Sequence, residues 1–198
     1  MQRTVRSFVA LALLLMGSTA AQAATIQIVA FGDSATKGYL VARKDAHPAQ
    51  LQAALRAKGH YVEVHNAGVN GDTTAGALRR FHKAFDMAIA PGTNIAIVEF
   101  GTNDLRRGVP IKTVQPQLAE IVRSLRTRHI QILVVGLGRL DFSALARAQG
   151  AAYALWRLPP GRHRARDSAH FNGEGYALLV ARMLPAVEAL IARVSIVR

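Results

Sequence analysis

The sequence predicts an α/β fold in which a mainly parallel sheet of four to five strands carries helices on both faces. Two observations make that prediction. Short apolar runs rich in β-branched residues alternate with longer stretches whose apolar residues recur at helical spacing, in the order β-α-β-α-β-α-β with a helix at the end. The apolar runs are continuous, as in strands covered on both sides. The scale fits one domain: 198 residues, 51% hydrophobic, with no internal repeat, low-complexity tract or linker.

Residues 26–31 read as the first strand, which stops at Gly32-Asp33-Ser34. Pro48 stands in the first turn of a helix over 48–58, with Leu51, Ala54 and Leu55 on one face and Gly59 at its end. Residues 61–65 read as the second strand and 66–73 as a turn-rich loop. A helix follows, with Asp72 or Thr73 as N-cap and Leu78, Phe81, Phe85 and Ile89 as its buried stripe, until Pro91-Gly92 breaks it. The third strand spans 94–100 and is capped by Gly101-Thr102-Asn103-Asp104. A helix over about 116–128 buries Leu118, Ile121, Val122 and Leu125, and 130–135 is the fourth strand. Between 138 and 166 the pattern gives a short helix near 143–149, a short strand over 153–156 and a Pro-Gly loop. The last helix starts after Asn172, carries Tyr176, Leu179, Val180, Met183, Leu184, Val187, Leu190 and Ile191 on one side, and should kink at Pro185.

Residues 1–23 read as a signal peptide: Arg3 and Arg6 make a basic start, 8–16 is an unbroken apolar run, and Ala21-Gln22-Ala23 is an A-x-A cleavage signature. That run is shorter than the ~20 residues a membrane span needs, and no later segment is apolar enough for one. The expectation is a single domain over 24–198, periplasmic or secreted, and the absence of Cys fits export without a disulfide framework. The formal charge is +13, or +11 once 1–23 and its two arginines are removed. Arginines crowd the second half, among them Arg106, Arg107, Arg123, Arg126, Arg128, Arg157, Arg162, Arg164 and Arg166. Such a surface attracts anions, whether lipid, polymer or an acidic substrate. With no nucleic-acid motif and no aromatics among the basic residues, no specific nucleic-acid partner is expected.

The chemistry lies at strand ends. Gly32-Asp33-Ser34, Asn70-Gly71-Asp72 and Gly101-Thr102-Asn103-Asp104 each follow a strand, so a parallel sheet projects all three from one edge. A serine just past a strand end can act as a nucleophile if a base reaches it. Asp167-Ser168-Ala169-His170, just ahead of the final helix, has the spacing for a carboxylate to meet an imidazole in a tight turn. That contact would fix the ring tautomer and leave the other nitrogen free to take a serine proton.

On these residues the chain resembles the SGNH (GDSL-type) hydrolases, and within them the thioesterase I, lysophospholipase and arylesterase group. The resemblance rests on four blocks in order: Phe31-Gly-Asp-Ser-Ala-Thr-Lys-Gly-Tyr39, Asn66-Ala-Gly-Val-Asn-Gly-Asp-Thr-Thr-Ala-Gly76, Gly101-Thr-Asn-Asp104 and Asp167-Ser-Ala-His-Phe-Asn172. It implies the SGNH hydrolase fold, a flavodoxin-like three-layer α/β/α sandwich. It implies Ser34 as nucleophile, His170 as base and Asp167 as the residue that orients it. The backbone N–H groups of Ser34 and Gly71, with the Asn103 side-chain amide, would form the oxyanion hole. Glycine at 71 leaves its N–H unobstructed, and Asn103 is a neutral donor that pH cannot remove. Ala35 stands where many relatives carry Leu, Lys37 where a small apolar residue is common, and the stretch before Asp167 is short. These departures leave the esterase chemistry and favour short acyl chains.

The expected substrate is a small-molecule ester or thioester, hydrolysed through an acyl-enzyme by a monomer with no metal or organic cofactor. The alternatives are a carbohydrate O-deacetylase of the same fold and a non-catalytic envelope-binding protein that uses the basic face. Asp33 reads as the residue that sets the Ser34 turn and Asp104 as a loop acceptor. His47, His60, His65, His82, His129 and His163 read as surface or cap residues, and Trp156 as packing. Tyr39 and Leu40 read either as pocket border or as core. The glycines of 68–76 lack the Gly-Lys-Ser/Thr of a nucleotide loop.

Overall fold

A computed structural model describes residues 25–87, 93–157 and 161–196. The signal-peptide reading, Ile89 and Pro91-Gly92 therefore lie outside the described residues. Five strands, β1 (Ile26–Gly32), β2 (Val62–Gly68), β3 (Thr93–Glu99), β4 (Gln131–Leu137) and β5 (Ala152–Trp156), form one sheet in the order β2-β1-β3-β4-β5. Every pairing is parallel. The helices are α1 (Ser34–Lys37), α2 (His47–Ala57), α3 (Thr74–Arg79), α4 (Thr102–Arg106), α5 (Ile111–Arg126), α6 (Ser143–Ala148) and α7 (Gly173–Ile196).

Alternation along each strand divides the core in two, because successive side chains point to opposite faces. Val29, Phe31, Ala96, Val98, Ile132 and Val134 face a layer of α3, α5 and α6. Ile28, Ile95, Ile97, Leu133, Val135 and Trp156 face α2 and α7. Each such aliphatic side chain, removed from water, contributes roughly 1.5–3 kcal/mol. The three-layer α/β/α sandwich read from the sequence is the observed architecture.

Differences from the sequence reading have local causes. β2 runs three residues further than 65, because Asn66, Ala67 and Gly68 pair in register with Ala30, Phe31 and Gly32. α5 begins at Ile111, behind Pro110, and contains Pro116. Both prolines are helix-start signals, and the fully buried Val114 extends the apolar stripe back to the first of them. The long helix expected after Thr73 is instead α3 followed by an i→i+5 turn over Lys83–Met87. That turn keeps the Phe81 and Phe85 rings 6.3 and 5.1 Å from Phe31. α7 continues through Pro185, which removes one backbone N–H without ending the helix. His47 is neither surface nor cap: it is fully buried at the start of α2, its ring 4.8 Å from that of Trp156.

The strand order places a reversal between β1 and β3, since the chain leaves β1 for β2 on one side and returns to β3 on the other. Such a switch point opens a crevice at the carboxyl ends of the strands. Asp33-Ser34 follows β1 and Asn103 follows β3 at that edge.

Candidate active site

Ser34 is the first residue of α1. Asp33 caps that helix, its carboxylate accepting the Ala35 N–H at 2.8 Å. Gly32 makes the sharp entry feasible: a Cβ there would lie 2.8 Å from the Glu99 carbonyl oxygen and 2.1 Å from Thr36 Oγ1. The serine is held at the sheet edge with 9% of its surface exposed.

His170 comes to it from the far end of the chain. Its Nε2 lies 2.8 Å from Ser34 Oγ, and its Nδ1 lies 2.5 Å from Asp167 Oδ2. The other Asp167 oxygen accepts the N–H groups of Ala169 and His170, both at 3.0 Å. The turn puts Ser168 in the left-handed region at φ 56°. The three hydrogen bonds to His170 and Ala169 hold the Asp167 carboxyl down to about 2, the His170 backbone bond contributing most. An ionised Asp167 fixes the proton on Nδ1, so Nε2 presents its lone pair to Ser34 Oγ. The ring of Tyr39 lies edge-on to His170, centroids 5.0 Å apart, so the Tyr39 reading resolves to site border.

The three oxyanion candidates are neighbours. The Asn103 amide donates to Asp33 Oδ2 at 2.8 Å and to the Asp72 carbonyl at 2.9 Å, which ties it to the residue before Ser34 and the residue after Gly71. Gly71 has φ +71°, a conformation that favours glycine. Among the described residues the N–H groups of Ser34 and Gly71 have no acceptor. Both hydrogens of the Asn103 amide, by contrast, are taken up.

Beneath this loop lies a pair that sequence reasoning missed. Glu99 ends β3, is 1% exposed, meets the Asp33 side chain and accepts from the Thr36 hydroxyl at 3.3 Å. Burial, and then the charge of Asp33, push its carboxyl well above the ordinary range, and burial also raises Asp33. Burial thus favours a proton held within the pair. We place it on Glu99, because Asp33 has the better donors in Ala35 and Asn103. Arg80 was missed as well. Its guanidinium reaches Asp72 at 2.7 Å, the Ala67 carbonyl at 2.9 Å and the Gly32 carbonyl at 3.0 Å, over the face of Phe31. It fastens the Gly71 loop to the ends of β1 and β2. A carboxylate at the end of an apolar strand was a legible signal for Glu99; for Arg80 there was none. Asp104 is the loop acceptor expected, receiving the Thr74 hydroxyl at 2.6 Å.

A cleft of about 470 Å³ opens beside Ser34 and His170, with Leu105, Leu137, Leu140 and Phe171 in its walls. Gly71 and Asn103 lie outside its lining. Trp156 is fully buried packing.

Residues 30–178 match the model of the GDSL-like lipase/acylhydrolase family. The chain belongs to that family. Among curated relatives, an arylesterase of Vibrio mimicus is 28% identical over 117 residues, 59% of this chain and 57% of the arylesterase. The esterase TesA of Pseudomonas aeruginosa is 29% identical over 154 residues, 72% of this chain and 75% of that protein. Among solved structures, AlinE4, an SGNH-hydrolase family esterase, is 30% identical with a TM-score of 0.65, covering 84% of this chain and 96% of AlinE4. The four blocks that carry the GDSL-like resemblance all fall inside the matched residues.

Proposed function

We propose that this chain is a serine ester hydrolase for small to medium acyl esters or thioesters. The observation that carries the reading is the relay from Ser34 Oγ to His170 Nε2 at 2.8 Å and from His170 Nδ1 to Asp167 at 2.5 Å. Ser34 Oγ attacks the ester carbonyl carbon while its proton passes to His170 Nε2. The carbonyl oxygen becomes an oxyanion that the Ser34 and Gly71 N–H groups receive. Asn103 adds a third donor by sharing the hydrogen that now meets the Asp72 carbonyl. The imidazolium then protonates the departing alcohol or thiol, leaving an acyl ester on Ser34. Water repeats the sequence: its proton goes to His170, its oxygen to the acyl carbon, and Ser34 regains its proton as the acid leaves. The similarity to an arylesterase and two esterases supports an ester substrate, and the modest apolar cleft supports a short acyl chain.

The same reading places the enzyme outside the cytoplasm, in the periplasm or secreted, after cleavage behind Ala23. What supports it is the basic start, apolar run and A-x-A site of residues 1–23.

A fluorophosphonate probe tests the chemistry. It should add one adduct to the Ser34 peptide of the wild type and none to Ser34→Ala, which should also lose ester turnover while keeping its melting temperature. Labelling elsewhere, or turnover by Ser34→Ala, would refute the assignment.

A further inference from the structure

The cleft beside Ser34 carries a charge pattern that ester cleavage does not itself require. Apart from His170, its charged lining is three guanidinium groups, Arg106, Arg139 and Arg164, against one carboxylate, Asp33. Asp33 offsets only part of that charge: it interacts with Arg106, but it is a single carboxylate, 2% exposed, that already accepts from Ala35 and Asn103. The arginines come from three separate places in the chain, α4 after β3, the loop after β4, and the turn before His170. Arg164 is anchored through a 2.8 Å bond to the Ser168 carbonyl. Arg106 and Arg139 are exposed, and among the described residues neither side chain makes a hydrogen bond or ion pair.

A basic chain will scatter arginines everywhere, and Arg79, Arg147 and Arg193 are likewise exposed with no side-chain partner among the described residues, so it is the convergence of three arginines on one cleft that matters. Arg80 is paired with Asp72, Arg123 with Glu120, and Arg56 with the Val62 carbonyl. Arg106 and Arg139 instead border an apolar hollow. Guanidinium groups are weakly hydrated and bind carboxylate or phosphate through two parallel N–H bonds. Low-dielectric walls strengthen that attraction and focus it toward the mouth of the cleft.

We propose that the ester cleaved here carries an anionic group, carboxylate or phosphate, which Arg106 and Arg139 hold while the apolar part of the substrate lies along Leu105, Leu137 and Leu140. This rests on the esterase reading, with Ser34 as nucleophile. Arg106 and Arg139 are then specificity residues, and a neutral ester of the same shape is the poorer substrate.

The test compares two matched pairs on the purified protein, corrected for spontaneous hydrolysis. The acyl-side pair is 4-nitrophenyl hemiglutarate and 4-nitrophenyl pentanoate. The leaving-group pair is the phenolic acetate of 3-hydroxybenzyl phosphate and that of 3-hydroxybenzyl alcohol. In low salt, kcat/KM for the anionic member of at least one pair should exceed its neutral partner by tenfold or more, chiefly through KM. The pair that responds tells which side of the ester bears the charge. Near 0.5 M NaCl the advantage should shrink severalfold, since the Debye length falls from ~10 Å at 0.1 M to ~3 Å at 1 M. In an Arg106→Gln/Arg139→Gln variant the anionic-to-neutral ratio should drop toward one. A ratio of one or less in both pairs, or an advantage that survives the double substitution, overturns the anion assignment. Turnover or Ser34 labelling without charge preference overturns that assignment alone. Absence of both turnover and fluorophosphonate labelling overturns the esterase reading and the assignment together.

Discussion

Acid should unfold this protein through His47. Its ring is fully buried, 4.8 Å from Trp156 and 6.2 Å from Tyr176, and neither nitrogen has a hydrogen-bond partner among the described residues. Burial alone disfavours the imidazolium and lowers the group from 6.5 to about 3. The native ring therefore stays neutral while the unfolded chain takes a proton below 6.5, so the unfolded state binds more protons and stability falls as pH falls from 6.5 toward 3. At ~1.36 kcal/mol per unit, the loss is on the order of 5 kcal/mol over the whole window and ~2.7 kcal/mol by about pH 4.5. Total stabilities of ~5–15 kcal/mol make that a large share. His47→Phe keeps an aromatic ring there and removes the titration. Urea unfolding of both proteins between pH 7.5 and 4 should show the wild type losing stability faster below pH 6.5, by ~1.4 kcal/mol per pH unit. Any packing penalty of the larger ring shifts the variant's curve as a whole and leaves the difference in slope. Parallel curves would refute the argument.

Glu99→Gln should show the opposite sign. Burial holds the Glu99 carboxyl well above its ordinary 4.5 in the folded chain, while the unfolded chain ionises above about 4.5, so its contribution declines as pH rises from there. The variant should gain on the wild type between pH 4 and 7 in the same unfolding series; a gain that does not grow with pH would rule out a protonated Glu99. Gly32→Ala should destabilise by ~1–3 kcal/mol and displace Ser34, because the Glu99 backbone cannot yield to a Cβ; wild-type stability with full turnover would contradict the close approach. His170→Ala should lower kcat by roughly 10⁶-fold and Asp167→Ala by roughly 10⁴-fold, since one carries the proton and the other only orients the ring. Equal and complete loss of kcat in both would show that Asp167 does more than orient.

Much of the fold was legible because burial on both sheet faces writes itself as continuous apolar runs. β3 shows this plainly: Ile95 to Val98 is apolar and every one of those residues is buried. What the sequence concealed are features decided by pairing and by neighbours. Asn66 to Gly68 carry turn chemistry, yet β1 supplies a partner edge that makes them strand. Pro116 looks like a helix start, yet Pro110 starts the helix six residues earlier and the buried stripe holds the longer segment together. His47 looks polar, yet it is sealed in against Trp156 of β5 and Tyr176 of α7. In each case local preference is a fraction of a kcal/mol to ~1 kcal/mol, and tertiary burial outweighs it.

The candidate site divides along the same line. Ser34, Asp167 and His170 were legible because the chemistry restricts each position to one or two residue types, and the chain brings them to hydrogen-bonding distance across 136 residues. The support beneath them was not, because it consists of contacts between loops. Asn103 reads in sequence as a ready oxyanion donor, but its orientation comes from Asp33, which accepts its hydrogen best as a carboxylate, with the proton of the buried pair favoured on its neighbour. Glu99 is that neighbour, pushed up by burial and then by the charge of Asp33. Without its proton, two carboxylates with little exposed surface would repel each other beneath Ser34, a cost far above that of one hydrogen bond. The Asn103 amide and the turn that presents Ser34 therefore rest on a buried residue that lies outside the lining of the cleft.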